Sequence, residues 1–195
     1  MRVDPATGLL DDARQVESPN HDERPPGSGP ELVVVHCISL PPGDFGGPHI
    51  EALFTNRLDP EGHPYFAEIC GLEVSAHALI RRDGEIVQFV PFHRRAWHAG
   101  QSCYEGRERC NDFSVGIELE GTDDGDYEPV QYRQLVELLR ALGEAYPTLE
   151  GAPLVGHSDI APGRKTDPGP GFDWGRLGTL LAAERDHGDT APPQV

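Results

Sequence analysis

Leu32-Val33-Val34-Val35 is an unbroken apolar run, three of its four residues β-branched, and it leads directly into His36-Cys37-Ile38-Ser39. Such a run has no polar face to offer water, so it reads as a strand buried on both sides at the centre of a sheet. A strand of that kind needs a covering layer on each face. It also ends on an imidazole, and a buried strand end holds a side chain still.

The rest of the chain supplies the layers. Gly46-Gly47-Pro48 opens a helix with Ile50, Leu53 and Phe54 on one face, proline suiting a first helical position. Residues 56–71 are polar and read as loop. Residues 74–80 and 85–90 flank Arg82-Asp83-Gly84, a strong hairpin signal. Residues 97–111 form a long loop rich in Gly and Arg, and long loops inside compact domains are commonly functional. Ser114 to Glu120 alternates apolar and polar residues, as a half-buried strand does. After Pro129, the spacing of Tyr132, Leu135, Val136, Leu139 and Leu142 predicts a helix that ends near Tyr146-Pro147. Leu154-Val155-Gly156 is a short strand, and Asp173 caps a last helix carrying Trp174, Leu177, Leu180 and Leu181. Interleaved strands and helices predict an α/β fold, a single domain with a central mixed β-sheet flanked by helices.

The expected domain covers residues 31–186. Residues 1–30, acidic and rich in Pro and Gly, read as a mobile arm, and residues 187–195 as a tail. The formal net charge of -17 and the absence of basic stripes exclude a nucleic-acid partner and predict repulsion from anionic lipid. No run approaches the ~18 apolar residues of a membrane span. Met1-Arg2-Val3-Asp4 opens no apolar signal segment, so the expected compartment is the cytoplasm. The four cysteines show no Cys-x-x-Cys spacing and read as free thiols. A monomer is expected.

Three potential metal ligands, His36, His157 and Asp167, lie near strand ends. Zinc favours imidazole and carboxylate, with a fourth position left for water in catalytic sites. Asp167 sits on a loop stiffened by Pro168-Gly169-Pro170. Residue type and spacing alone leave another reading open, in which the histidines are hydrogen-bonded core or surface groups and the aspartate a turn former. Glu118 and Glu120 share one strand face, and either could serve as a general base; strand geometry does not choose. Lys165 is the chain's single lysine among many arginines, set between His157 and Asp167. A fixed ammonium there suits a developing oxyanion. His98, between Trp97 and Ala99-Gly100, sits where backbone can approach a ligand closely.

Several segments together carry a resemblance: Val33-Val34-Val35-His36, Ile38-Ser39-Leu40-Pro41-Pro42-Gly43, Ser75-Ala76-His77, Ile80-Arg81-Arg82-Asp83-Gly84, Ala96-Trp97-His98-Ala99-Gly100, Gly106-Arg107-Glu108-Arg109-Cys110-Asn111-Asp112, Gly116-Ile117-Glu118-Leu119-Glu120-Gly121-Thr122 and Gly156 to Pro170. The chain resembles the zinc-dependent N-acetylmuramoyl-L-alanine amidases, the amidase-2 family that also includes peptidoglycan recognition proteins. Within it, the chain looks most like the cytoplasmic enzymes acting on 1,6-anhydro-muropeptides in cell-wall recycling. The resemblance implies that His36, His157 and Asp167 hold Zn2+. It also implies that Glu118, rather than Glu120, works on the attacking water and that Lys165 stabilises the oxyanion. Arg109 and Ala161 match muropeptide-contacting positions, and Trp97 and His98 match a wall of the cleft. Cys37 and Glu73 depart from the family, where asparagine and arginine are expected, which bears on the peptide contacts. A non-catalytic muropeptide binder on the same fold is the alternative; all three ligand-type residues being present favours the enzyme.

Overall fold

In the computed structural model, which describes residues 1–188, six segments pair into one sheet. They are β1 (Arg14–Gln15), β2 (Leu32–Ile38), β3 (Ala78–Ile80), β4 (Ile86–Gln88), β5 (Ser114–Glu120) and β6 (Leu154–Gly156). Their order is β6-β2-β5-β3-β4-β1. The β3–β4 hairpin is antiparallel and every other pairing is parallel, so the sheet is mixed as expected. The apolar run lies on interior β2, between β5 and β6, with Leu32 to His36 buried.

Helices α1 (His49–Phe54), α2 (Pro64–Ile69), α3 (Pro129–Ala145), α4 (His157–Ile160) and α5 (Trp174–Gly188) complete the fold. Strand alternation sorts the faces. Val33 and Val35 of β2 and Val115, Ile117 and Leu119 of β5 join Tyr132, Leu135, Leu138 and Leu142 of α3 in the largest core. Truncating any of these buried leucines to alanine should cost about 2–5 kcal/mol. The opposite face takes Leu32, Val34, His36, Ser114, Gly116, Glu118 and Glu120. Part of it is covered by α1, α2 and residues 76–96 around Phe54, Phe66 and Phe89. Helix α3 begins at Pro129, behind a cap in which the Glu128 N–H donates to Gln131 Oε1 at 2.9 Å.

Three expectations need correction. Residues 1–30 are not a free arm. Val3 and Leu10 belong to the main core, β1 is an edge strand of the sheet, and His21–Asp22 pairs with Arg95–Ala96. Arg24 is a buried polar anchor. Its guanidinium donates to the carbonyls of Ser114 (2.9 Å), Asn111, Asp112 and His93 (each 3.2 Å) and Phe92 (3.3 Å). Composition reads as disorder because the apolar anchors are few. Second, residues 56–71 are not all loop. Helix α2 forms because the His63 ring accepts the Tyr65 N–H at 3.1 Å and Pro64 starts the first turn. Third, β5 is buried along its whole length, its polar residues covered by the site described next. Of residues 187–195, the backbone of α5 is described to Gly188; the rest of the expected tail lies outside the described residues.

Candidate metal centre

Register builds the site. His36 on β2 stands opposite Glu118 on β5, on the face away from α3. Strand β6 runs parallel on the other side of β2 and passes directly into α4, whose first residue is His157. The loop after α4 returns Asp167, and its Asp167 carbonyl accepts the Ser158 N–H at 3.0 Å.

The three ligand-type residues meet. His36 Nδ1 lies 3.0 Å from His157 Nδ1 and 3.0 Å from Asp167 Oδ2, and His157 Nδ1 lies 3.1 Å from the same oxygen. Both histidines are buried, and Asp167 is 13% exposed. Tetrahedral zinc with bonds of about 2.0–2.1 Å holds its ligands roughly 3.3 Å apart, so the triangle needs little adjustment. The protons also fit. His157 Nε2 faces the Ala99 carbonyl at 3.1 Å, which can only accept, so Nε2 carries the hydrogen and Nδ1 presents a lone pair. Burial depresses the His36 pKa to about 4, with Asp167 opposing, so its ring is neutral at pH 7. Lone pairs and a carboxylate converging on one point are what a cation requires. Among the described residues, this is the one His/Cys/Asp/Glu cluster with metal-binding geometry.

The two glutamates of β5 part company. Both Glu120 oxygens are occupied, by the Gly46 N–H (2.7 Å), the Arg81 guanidinium (3.2 Å) and the Arg82 N–H (3.2 Å). Glu118 is 8% exposed, and its Oε2 has no hydrogen-bond partner. Burial and the neighbouring Asp167 charge push the Glu118 pKa well above the usual carboxylate range, while the Lys165 ammonium pulls it down. Lys165 itself is exposed at the rim, its N–H donating to the Ala161 carbonyl at 3.1 Å.

A second loop clasps the one carrying Lys165 and Asp167. The Asp123 carbonyl accepts the Gly171 N–H at 2.8 Å, its carboxylate accepts the Thr166 hydroxyl, and the Tyr127 hydroxyl donates to the Pro168 carbonyl at 2.9 Å. Cys37 points to the α3 face, as strand alternation requires, and its thiol donates to Asp123 at 3.2 Å. Glu73 is exposed.

The four residues assigned to substrate separate into two groups. Arg109 and Ala161 line one open cleft of about 570 Å³, together with Gln101, Cys103 and Arg164. Trp97 and His98 do not line that cleft. Trp97 is half-buried, and its indole N–H donates to Asp22 at 3.3 Å. The His98 ring lies behind His36, with Nδ1 2.9 Å from His36 Nε2 and Nε2 3.1 Å from the Ser114 hydroxyl. Sequence reasoning missed Ala99, Asn111, Ser114 and Asp123. One available signal was Gly116 inside a strand, since an interior glycine often marks close approach of another group.

The family model for N-acetylmuramoyl-L-alanine amidase matches residues 26–170, and the chain belongs to that family. It is 62% identical over 177 residues to the 1,6-anhydro-N-acetylmuramyl-L-alanine amidase AmpD of Escherichia coli (strain K12), covering 91% of this chain and 96% of that protein. A crystal structure of a selenomethionine AmpD derivative superposes with a TM-score of 0.89 at 60% identity, covering 93% of this chain and 99% of the other. AmpDh3 from Pseudomonas aeruginosa in complex with anhydromuramic pentapeptide gives a TM-score of 0.58 at 27% identity, covering 87% and 72%.

Proposed function

We propose that this chain is a zinc-dependent amidase that cleaves the bond between the lactyl group of 1,6-anhydro-N-acetylmuramic acid and L-alanine, in the recycling of cell-wall muropeptides. The observation that carries this reading is the triangle of His36, His157 and Asp167 beside the unpartnered Oε2 of Glu118. The substrate class follows from similarity to AmpD and to a structure holding an anhydromuramic pentapeptide.

A bound zinc ion would supply a Lewis acid and lower the pKa of a water toward ~7. His36, His157 and Asp167 would hold it, their ring and carboxylate orientations set before it arrives. Glu118 takes the proton from the attacking water and returns it to the leaving L-alanine nitrogen. Its raised affinity for a proton suits both halves of that transfer. Lys165 brings its ammonium from the rim to the carbonyl oxygen as negative charge develops there. Arg109 and Ala161 line the cleft that receives the stem peptide. Products are an anhydromuramyl sugar and a free peptide. The four free cysteines support a reducing, cytoplasmic setting. No helix among the described residues is long and apolar enough to cross a membrane.

Two substitutions test the roles. Glu118→Gln should retain zinc and lose most turnover. Lys165→Ala should retain zinc and lower kcat by roughly 10²-fold or more, the scale of losing one oxyanion donor. Product analysis on anhydromuropeptide, with metal content measured alongside, reads both. Near-normal turnover in Glu118→Gln removes Glu118 from the chemistry.

A further inference from the structure

Resting on the metal centre proposed above, the geometry points to His98 as the positioning residue that makes His36 a ligand through Nδ1. The sequence of protons starts at the Cys110 carbonyl, which can only accept. It accepts a hydrogen bond from the Ser114 hydroxyl at 2.6 Å. Ser114 Oγ therefore presents a lone pair to His98 Nε2, 3.1 Å away, and that nitrogen carries the ring hydrogen. His98 Nδ1 is then a bare acceptor, 2.9 Å from His36 Nε2. His36 must supply the hydrogen from Nε2, which leaves its Nδ1 lone pair facing His157 and Asp167. One backbone carbonyl thus fixes three hydrogens in series and ends by fixing the ligand atom.

The seat of His98 is built for this. A Cβ on Gly116 would lie 2.4 Å from His98 Cγ, so the ring occupies the space that glycine leaves on the floor of β5. Asn111 Oδ1 accepts the N–H of His98 at 3.1 Å and of Ala99 at 2.8 Å. The Ala99 carbonyl is the group that orients His157, so the same amide side chain sets the partners of both histidines. With both ring nitrogens engaged inside the protein, His98 has none left for substrate. Its place is the outer coordination sphere and not the wall of the cleft. Partners of this kind orient ligating rings and raise their basicity.

The test compares His98→Asn with His98→Leu by zinc competition against a chromogenic chelator, with far-UV circular dichroism to confirm folding. Asparagine keeps an acceptor oxygen near the position of Nδ1, whereas leucine fills similar space without one. Histidine-selective ¹H–¹⁵N NMR of the zinc-loaded wild type reads the tautomers directly and needs no variant. His98→Leu should weaken zinc binding about 10- to 100-fold, with His98→Asn close to wild type. His98 should appear as the Nε2–H tautomer. Wild-type affinity in His98→Leu, equal loss in both variants, or an Nδ1–H tautomer at His98 each overturns the role of His98 alone. A wild-type chain that takes up no zinc overturns the metal centre and this role with it.

Discussion

Gly169→Ala, set against Gly163→Ala, measures how far the loop carrying Asp167 depends on its clasp. Both glycines have left-handed backbones, φ +77° and +76°. Alanine at either position should cost about 1–2 kcal/mol from that conformation alone. The surroundings then separate them. A Cβ at 163 meets nothing within 4 Å. At 169 it would lie 2.2 Å from the Asp123 carbonyl oxygen and 2.4 Å from Asp123 Cα. Those are backbone atoms and cannot rotate aside, so one loop must shift, adding about 1–3 kcal/mol. At about 2–4 °C per kcal/mol for a chain of this size, Gly169→Ala should melt roughly 2–12 °C below Gly163→Ala. Because Asp167 is two residues away, chelator competition should also find weaker zinc binding in Gly169→Ala and little change in Gly163→Ala. Equal melting temperatures and equal zinc affinities would refute the clasp as the support of the ligand loop.

Two further outcomes follow from buried charge. In metal-free protein, Glu118 binds its proton more tightly when folded than at the ordinary value of 4.5, so the native state holds the extra proton and stability falls as pH rises above 4.5. Glu118→Gln removes that slope and should be the more stable metal-free protein at pH 7–8, by about 1 kcal/mol or more, with the gap closing toward pH 4. His36 acts with the opposite sign, its folded value near 4 lying below 6.5, but equally in both proteins, so it cancels in the difference. Urea titrations from pH 4 to 8 check this, and parallel profiles would contradict it. Arg24→Met strands five carbonyls that one guanidinium satisfies and should cost about 3 kcal/mol or more. A loss under about 1 kcal/mol would return residues 1–30 to the status of a loose arm.

The sheet was legible because its strands carry strong local signals. The β-branched run of β2, the Asp83-Gly84 turn and the alternation of β5 each depend on nearest neighbours. The candidate metal ligands were legible as residue types near strand ends, and the family resemblance joined them. Register then explains part of the join, since Gly156 pairs with Val35 and so brings His157 beside His36. What stayed hidden depends on contacts between segments far apart in sequence. Glu118 and Glu120 are equivalent in strand pattern, and only the Arg81, Arg82 and Gly46 contacts consume Glu120. His98 beside Trp97 suggests a cleft wall until Gly116 is seen to admit its ring behind His36. The N-terminal segment, low in hydrophobic residues, folds because Val3, Leu10 and Arg24 each find a place in a core made by later residues.

The decisive measurement takes metal content and reaction product from the same purified sample. One zinc per chain is expected, lost together with amide cleavage of anhydromuropeptide on chelation and recovered together on adding zinc back. Asp167→Ala should lose both. A chain that cleaves the lactyl–alanine amide at full rate without bound metal, or that binds zinc stoichiometrically and leaves the amide intact, would contradict it.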